Sequence, residues 1–329
     1  MLKEYVWVNE RKLWFKRVVK WAFLLIILLL GSTTLLHFTY FSQQRKKVEP
    51  YGQMVPVFDG TMHLTTMGKG EETIVLLPGM GVALPSADFG PLMRELGKNH
   101  TVVVVEYFGV GFSSQTNRER SSANYVEEIR TALRTAGFTA PYVLVAHSIS
   151  SLYSEYYASA YPDEVKAIVS LDGTSSDFYT KTPGFVAALL PIAKLQQTLG
   201  VTALLGPLVT NRKEALELGY TDEEIDHMLL FAGFSVNDTL LEQIAQGTEF
   251  VAQTKALAYP ESVPYYKVIS KDTYEKPNKQ LPMTPQEYQM QHLKRIGPQA
   301  EYEVLEGTHF IYQTNVNRIA EIVNEMVKK

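Results

Sequence analysis

The sequence predicts an α/β fold: a mostly parallel, doubly wound sheet with a helical insertion, preceded by one transmembrane helix. Three observations predict it. Short runs rich in β-branched residues recur without polar alternation, as in strands buried on both faces of a parallel sheet. Segments with helical spacing separate them. One run of 21 residues, Trp21 to Phe41, carries no formal charge.

That run comes first in the chain. A helix of its length reaches roughly 30 Å, about a bilayer core. A cleaved signal peptide would have a shorter apolar region ending in small residues. Here Leu35 to Phe41 extends the run past Gly31-Ser32-Thr33-Thr34, so it reads as an uncleaved anchor. Lys3, Arg11, Lys12, Lys16, Arg17 and Lys20 precede it, and only Arg45, Lys46 and Lys47 follow closely. The positive-inside bias then puts residues 1–20 in the cytoplasm and the large domain outside, at the cell membrane. Residues 42–53 are polar and read as a linker.

After the linker, Val55–Val57 and Met62–Thr66 read as a hairpin around Asp59-Gly60. Thr73–Leu77, Val102–Glu106, Tyr142–Ala146 and Ala167–Leu171 read as buried strands. Phe89–Leu96, Asn124–Ala136 and Ser150–Tyr161 read as the helices between them. After Leu171 about ninety residues read as helical. Phe185, Ala188, Leu189, Ile192 and Leu195 fall on one stripe. Together with Val201–Leu208 it reads as core. Thr221 and Glu224 match a capping box. Strand character returns at Tyr265–Ser270 and Tyr302–Leu305. Thr284-Pro285 starts one helix, and Asn315–Val327 forms the last. The expected division is a sheet domain in two parts, 54–172 and 263–329, around a helical cap at 173–262.

Composition removes several function classes. Residues 1–47 hold nine Lys/Arg and two Asp/Glu, a net of +7, in a chain of formal net charge −4, which leaves −11 for the rest. An acidic domain without a basic stripe argues against a nucleic-acid partner. The chain has no cysteine, so a thiolate metal site, a disulfide and a cysteine nucleophile are excluded. Gly109-Val110-Gly111 follows a strand but lacks the third glycine of a dinucleotide fingerprint; it reads as a turn bordering the active site. The acidic run Asp222–His227 reads as a solvated first helical turn. No metal or organic cofactor is expected.

Chemistry concentrates at strand ends. Ser148 stands in Ala146-His147-Ser148-Ile149-Ser150, between a strand and a helix. Serine is also a favoured helix cap, but a nucleophile needs a base, an orienting acid and an oxyanion hole, and the chain offers candidates for each. Gly79-Met80-Gly81 follows a strand, where backbone N–H groups can face a developing oxyanion. Asp272 follows "YYKVIS", and His309, alone of the seven histidines, follows a strand end before a helix. The order Ser148, Asp272, His309 is that of a triad on an α/β sheet. Asp172, in "LDGTSS", is the second candidate for the acid. His147 reads as packing.

"ETIVLLPGMG", "VVVVEYFGVGFSS", "APYVLVAHSIS", "YPDEVKAIVSLDG", "VPYYKVISKD" and "GTHFIYQ" stand in family order. Over residues 55–328 the chain resembles the serine-nucleophile α/β-hydrolases of the esterase/lipase type, and the helical insertion corresponds to the family's cap. The resemblance implies Ser148 as nucleophile, His309 as base, Asp272 as acid, and the amides of Met80 and Ile149 as oxyanion donors. It departs at Ala146 and Ser150, where glycines are usual, and at Pro78, where histidine is common. The implied activity is carboxylic ester hydrolysis through an acyl-enzyme. With an anchor nearby, the implied substrate is an apolar or acyl-chain ester. An acyltransferase or amidase with the same triad, and a non-catalytic binding protein on this scaffold, stay open.

Overall fold

The computed structural model describes residues 2–177, 191–192, 194–195, 197–279 and 281–329, with residues 2–13 described by backbone alone. Among the described residues eight strands form one sheet: β1 (Gln53–Val57), β2 (Gly60–Met67), β3 (Thr73–Leu77), β4 (Thr101–Glu106), β5 (Tyr142–His147), β6 (Val165–Leu171), β7 (Tyr265–Ser270) and β8 (Ala300–Leu305). Their order is β1-β2-β4-β3-β5-β6-β7-β8. β1, β2 and β4 pair antiparallel. Every pairing from β4–β3 to β7–β8 is parallel. A mostly parallel sheet with helices on both faces is therefore the architecture of this chain, as its sequence predicts.

Alternate residues of the central strands enter different cores, because side chains leave a strand on opposite faces. Val75, Leu77, Val103, Val105 and Leu144 pack under the helices Ser122–Thr135 and Ser150–Ala160. Ile74, Leu76, Val102, Val104 and Val143 pack under Gly90–Leu96 and Val316–Val327. Burial on both faces removes any reason for polar alternation, which is why these strands read as continuous apolar runs.

The cap follows β6 and precedes β7. Its described helices are Val201–Val209, Arg212–Glu217, Asp222–Ala232, Asp238–Ala245 and Gly247–Lys255. The Thr221–Glu224 capping box is formed, and the Thr284–Glu287 pair forms a second one at Pro285. The run Asp222–His227 is tied locally: Asp222 and Asp226 face Arg212, and His227 Nδ1 lies 2.7 Å from Tyr51 Oη. Phe185, Ala188 and Leu189 of the expected stripe lie outside the described residues. Ile192 and Leu195 are exposed rather than core, as are Leu204, Leu205 and Leu208.

A helix runs from Leu2 to Leu36 and continues through a π turn, His37–Phe41, into Ser42–Lys47. Residues 42–47 are thus helical and not linker. No proline or glycine interrupts them, and Arg45, Lys46 and Lys47 occupy the last turn, where cations complement the helix dipole. Among the described residues one helix, Trp14–Lys47, is long and apolar enough to cross a membrane.

Candidate active site

The carboxyl ends of β5, β6 and β8 bring three polar side chains together. Ser148 directly follows β5 and has φ of +55°, a conformation that costs a non-glycine residue about 1–3 kcal/mol and persists only when its surroundings impose it. They do. Ser148 N donates to Leu171 O at 3.1 Å, and Ser148 O accepts from Ser151 N and Thr174 N at 3.1 and 3.0 Å. The serine sits on a sharp strand-to-helix turn, and its Oγ lies 2.9 Å from His309 Nε2.

His309 Nδ1 lies 2.7 Å from Asp172 Oδ2. Asp172 follows β6, also at positive φ, +46°, and its side chain is fully buried. Ser270 N donates to Oδ1 at 2.8 Å and Thr273 Oγ1 to Oδ2 at 2.6 Å, so the carboxylate is satisfied and fixed. The expectation that Asp272 orients the histidine is corrected. Its carboxylate is partly exposed and pairs with Lys276 at 2.5 Å. The physical reason is register. β6 and β7 are neighbours, and the turn after β7 spends its Ser270 amide and Thr273 hydroxyl on Asp172, while Asp272 heads outward.

The departures from glycine at the elbow have local explanations. Ala146 is fully buried. Ser150 Oγ donates to Pro78 O and accepts from Tyr107 Oη at 2.7 Å. A serine at this position thus ties the turn at Ser148 to the loop after β3. Gly79 in that loop has no room for a side chain: an added Cβ would lie 2.5 Å from His147 Nδ1 and 3.1 Å from Ser148 Cβ. Met80 is half-buried against the core below, and Ile149 caps the helix after Ser148.

Sequence reading missed the part His147 plays. It is buried, its Nε2 donates to the His309 carbonyl at 2.9 Å, and its ring centroid lies 4.7 Å from that of His309. Its Nδ1 has no hydrogen-bond partner among the described residues. Burial, reinforced by the neighbouring His309, pushes its pKa down to about 3. The ring is neutral and holds up the His309 backbone. Glu106, fully buried at the end of β4, was also missed. It accepts from Ser86 Oγ at 2.6 Å and Phe112 N at 2.7 Å, and joins the loops after β3 and β4. Gly111, at φ +57°, approaches it so closely that an added Cβ would meet Oε2 at 2.0 Å. Gly111 N donates to Ala83 O at 3.2 Å, so the Gly109–Gly111 turn packs on the loop after β3.

Between the loop after β3 and the helices that follow β6 lies a cavity of about 520 Å³. Val82, Ala83 and Phe310 wall it on the sheet side, and Leu218, Met228 and Leu229 on the cap side. Ser148, Asp172 and His309 are not among its lining residues; it adjoins them through Phe310, the neighbour of His309, whereas a smaller cavity of about 260 Å³ is lined by Asp172 and His309 themselves. The arrangement can move a proton from the serine hydroxyl to an imidazole held in one tautomer by a buried carboxylate. Among the described residues, no cluster of three His, Asp or Glu side chains has metal-binding geometry.

The comparisons with known proteins agree with this fold. The chain is 26% identical over 315 residues to the uncharacterized protein YbdG of Bacillus subtilis (strain 168), covering 93% of this chain and 94% of that protein. It is 30% identical over 115 residues to 2-(acetamidomethylene)succinate hydrolase of Mesorhizobium japonicum, 35% of this chain and 41% of that one. The fold superposes on carboxylesterase CesB (YbfK) from Bacillus subtilis with a TM-score of 0.60 at 14% identity, covering 90% of this chain and 98% of that one. It superposes on the enol-lactonase from Burkholderia xenovorans LB400 with a TM-score of 0.61 at 13% identity, covering 84% and 100%. The model of the alpha/beta hydrolase fold matches residues 72–246, more than half of the sequence. By that match, and by the order of its sheet, this chain belongs to the α/β-hydrolase fold family.

Proposed function

We propose that this chain is a membrane-anchored serine hydrolase that cleaves carboxylic esters of apolar acyl groups. The observation that carries the reading is the continuous contact from Ser148 Oγ to His309 Nε2, and from His309 Nδ1 to Asp172 Oδ2. His309 takes the hydroxyl proton as Ser148 Oγ attacks the ester carbonyl. The amides of Met80 and Ile149 receive the oxyanion. Collapse of the tetrahedral intermediate expels the alcohol, which takes the proton from His309. Water then attacks the acyl-Ser148 ester with His309 again as base, releasing the acid. Asp172 holds the Nδ1–H tautomer throughout.

Apolar residues around the cavity favour an acyl chain over a charged substrate. Two of the structural neighbours, a carboxylesterase and an enol-lactonase, support an ester over other acyl derivatives. The anchor reading rests on the uncharged run from Trp21 to Phe41, with the catalytic parts at 54–172 and 263–329 on the far side of the membrane from residues 1–20. The test is labelling of the full-length chain with a fluorophosphonate, followed by mapping of the modified peptide. A label on Ser148 that is lost in His309→Ala supports the reading. An unlabelled Ser148 in folded protein overturns it.

A further inference from the structure

The apolar helix Val201–Val209 has two faces. Ala203 is buried, and Gly206 lies against Leu229, whose Cδ2 would be 3.6 Å from an added Cβ. These small residues let the helix sit on Asp222–Ala232, the wall of the cavity. The other face is uncovered among the described residues. Leu204 and Leu205 are exposed, and Leu208 and Val209 are 79% and 82% exposed. Ile192 and Leu195, just upstream, are 58% and 57% exposed. Scattered exposed leucines need no explanation, but a contiguous apolar face of this kind marks a contact surface.

What covers it follows from where it begins. Gly200, the residue before this helix, packs on the N-terminal helix so tightly that an added Cβ would lie 2.6 Å from Thr33 O and 2.8 Å from His37 Cβ. The junction is fixed at further points. His37 stacks on Phe234 with centroids 4.4 Å apart. The Arg45 guanidinium lies 5.0 Å from the Phe231 ring centroid and 5.2 Å from that of Phe234, and donates to Gly111 O at 3.1 Å.

This contact fixes a depth. Lys20 is the last charge before the apolar run. From Lys20 to Thr33 a helix rises only about 20 Å, against roughly 30 Å of bilayer hydrocarbon. A cap standing wholly in water would leave the anchor about 10 Å short. Measured from the other end, Thr33 lies about 12 Å below Phe41, comparable with the ~5–10 Å to which interfacial helices bury their apolar face.

We propose that the open face of Val201–Val209 is seated in the lipid leaflet beside the anchor, so that the cavity behind it takes the acyl chain of a membrane-dissolved ester directly from the bilayer. The cavity comes next to this helix at Thr210, the residue that follows it, and at Leu229, against which Gly206 packs. The substrate half of this inference rests on the hydrolase reading above; the seating of the helix does not.

The chain's lack of cysteine allows a direct test. The full-length protein carrying Leu208→Cys, and separately Glu321→Cys on the exposed side of the last helix, is labelled with an environment-sensitive fluorophore. Each is reconstituted in phosphatidylcholine vesicles containing nitroxide-labelled lipid. The label at position 208 should be quenched by the lipid nitroxide and shielded from iodide, and the label at 321 the reverse. Equal iodide quenching at both positions overturns the seating. In the second arm, Leu208→Glu/Val209→Glu is compared with the parent on 4-methylumbelliferyl oleate dissolved in the vesicles and on soluble 4-methylumbelliferyl acetate. Loss of the apolar seat should lower oleate turnover by about tenfold or more, with acetate turnover unchanged, which also shows that the variant is folded. Equal oleate turnover overturns direct entry from the bilayer. A parent that cleaves neither ester defeats the hydrolase reading instead, and the quenching result still decides the seating.

Discussion

His309 Nδ1 meets Asp172 Oδ2 at 2.7 Å, one strand earlier in the chain than the aspartate the sequence favours. Asp272 is exposed enough to pair with Lys276 and leaves its neighbours Ser270 and Thr273 to serve Asp172. The variants separate the two residues. Asp172→Asn removes the charge that orients the imidazole and should lower kcat for an activated ester by roughly 10⁴-fold. Asp272→Asn should leave kcat within about twofold, because it removes only a surface ion pair. Steady-state kinetics of both, with circular dichroism to confirm folding, checks the ranking; equal losses would contradict it.

The reason for the miss is specific. β6 and β7 both end at the same rim of the sheet, and each is followed at once by an aspartate. Chain order cannot tell which carboxylate turns inward, since that depends on the lateral pairing of the strands and the turn at Thr273. Strands buried on both faces were legible because burial on both sides shows directly as an uninterrupted apolar run: β3 and β7 fall where the sequence places them. Ser148 and His309 were legible because each has a distinctive place at a strand end. His147 and Glu106 left no such trace. Their importance lies in contacts to the His309 carbonyl and to Ser86, which are distant in sequence. Residues 42–47 were misread because polarity was taken for irregularity, whereas an uninterrupted run of Ser, Gln, Arg and Lys extends a helix readily.

The serine–histidine contact makes a statement about coupling. At 2.9 Å the two side chains act as one unit, so their losses should not add. Ser148→Ala and His309→Ala should each reduce hydrolysis of short nitrophenyl esters to near background, and the double variant should be scarcely slower than either. A serine that only capped a helix would cost about 1 kcal/mol of stability when replaced and leave turnover unchanged. Turnover by folded Ser148→Ala at the parent rate would remove the nucleophile assignment.

Topology is tested in intact cells. The charge asymmetry around Trp21–Phe41 predicts that external protease reaches the domain after residue 47 while a tag at Met1 stays protected. Arg45 is the informative residue among the opposing cations, because it packs over Phe231 and Phe234 rather than standing free beside lipid headgroups. Replacing Lys46 and Lys47 by glutamine should therefore leave the orientation unchanged. Cleavage of the domain only after lysis would reverse the assignment.

The buried ring of His147 links the site to acid stability. Burial holds its pKa down at about 3 in the folded chain, against about 6.5 in the unfolded chain. Between these values the unfolded chain binds a proton that the folded chain refuses. Stability is therefore fully present above about pH 6.5 and is lost as pH falls toward 3, at up to about 1.4 kcal/mol per pH unit. His147→Gln keeps an amide N–H near the His309 carbonyl but cannot titrate. Between about pH 7 and about pH 4.5 the parent should lose roughly 2–3 kcal/mol more than His147→Gln, read as a larger drop in the denaturation midpoint in detergent micelles. Other groups titrate in both proteins and cancel in the difference. Parallel losses in the two proteins would show that the ring is protonated in the folded state, and the neutral support for the His309 backbone would have to be abandoned.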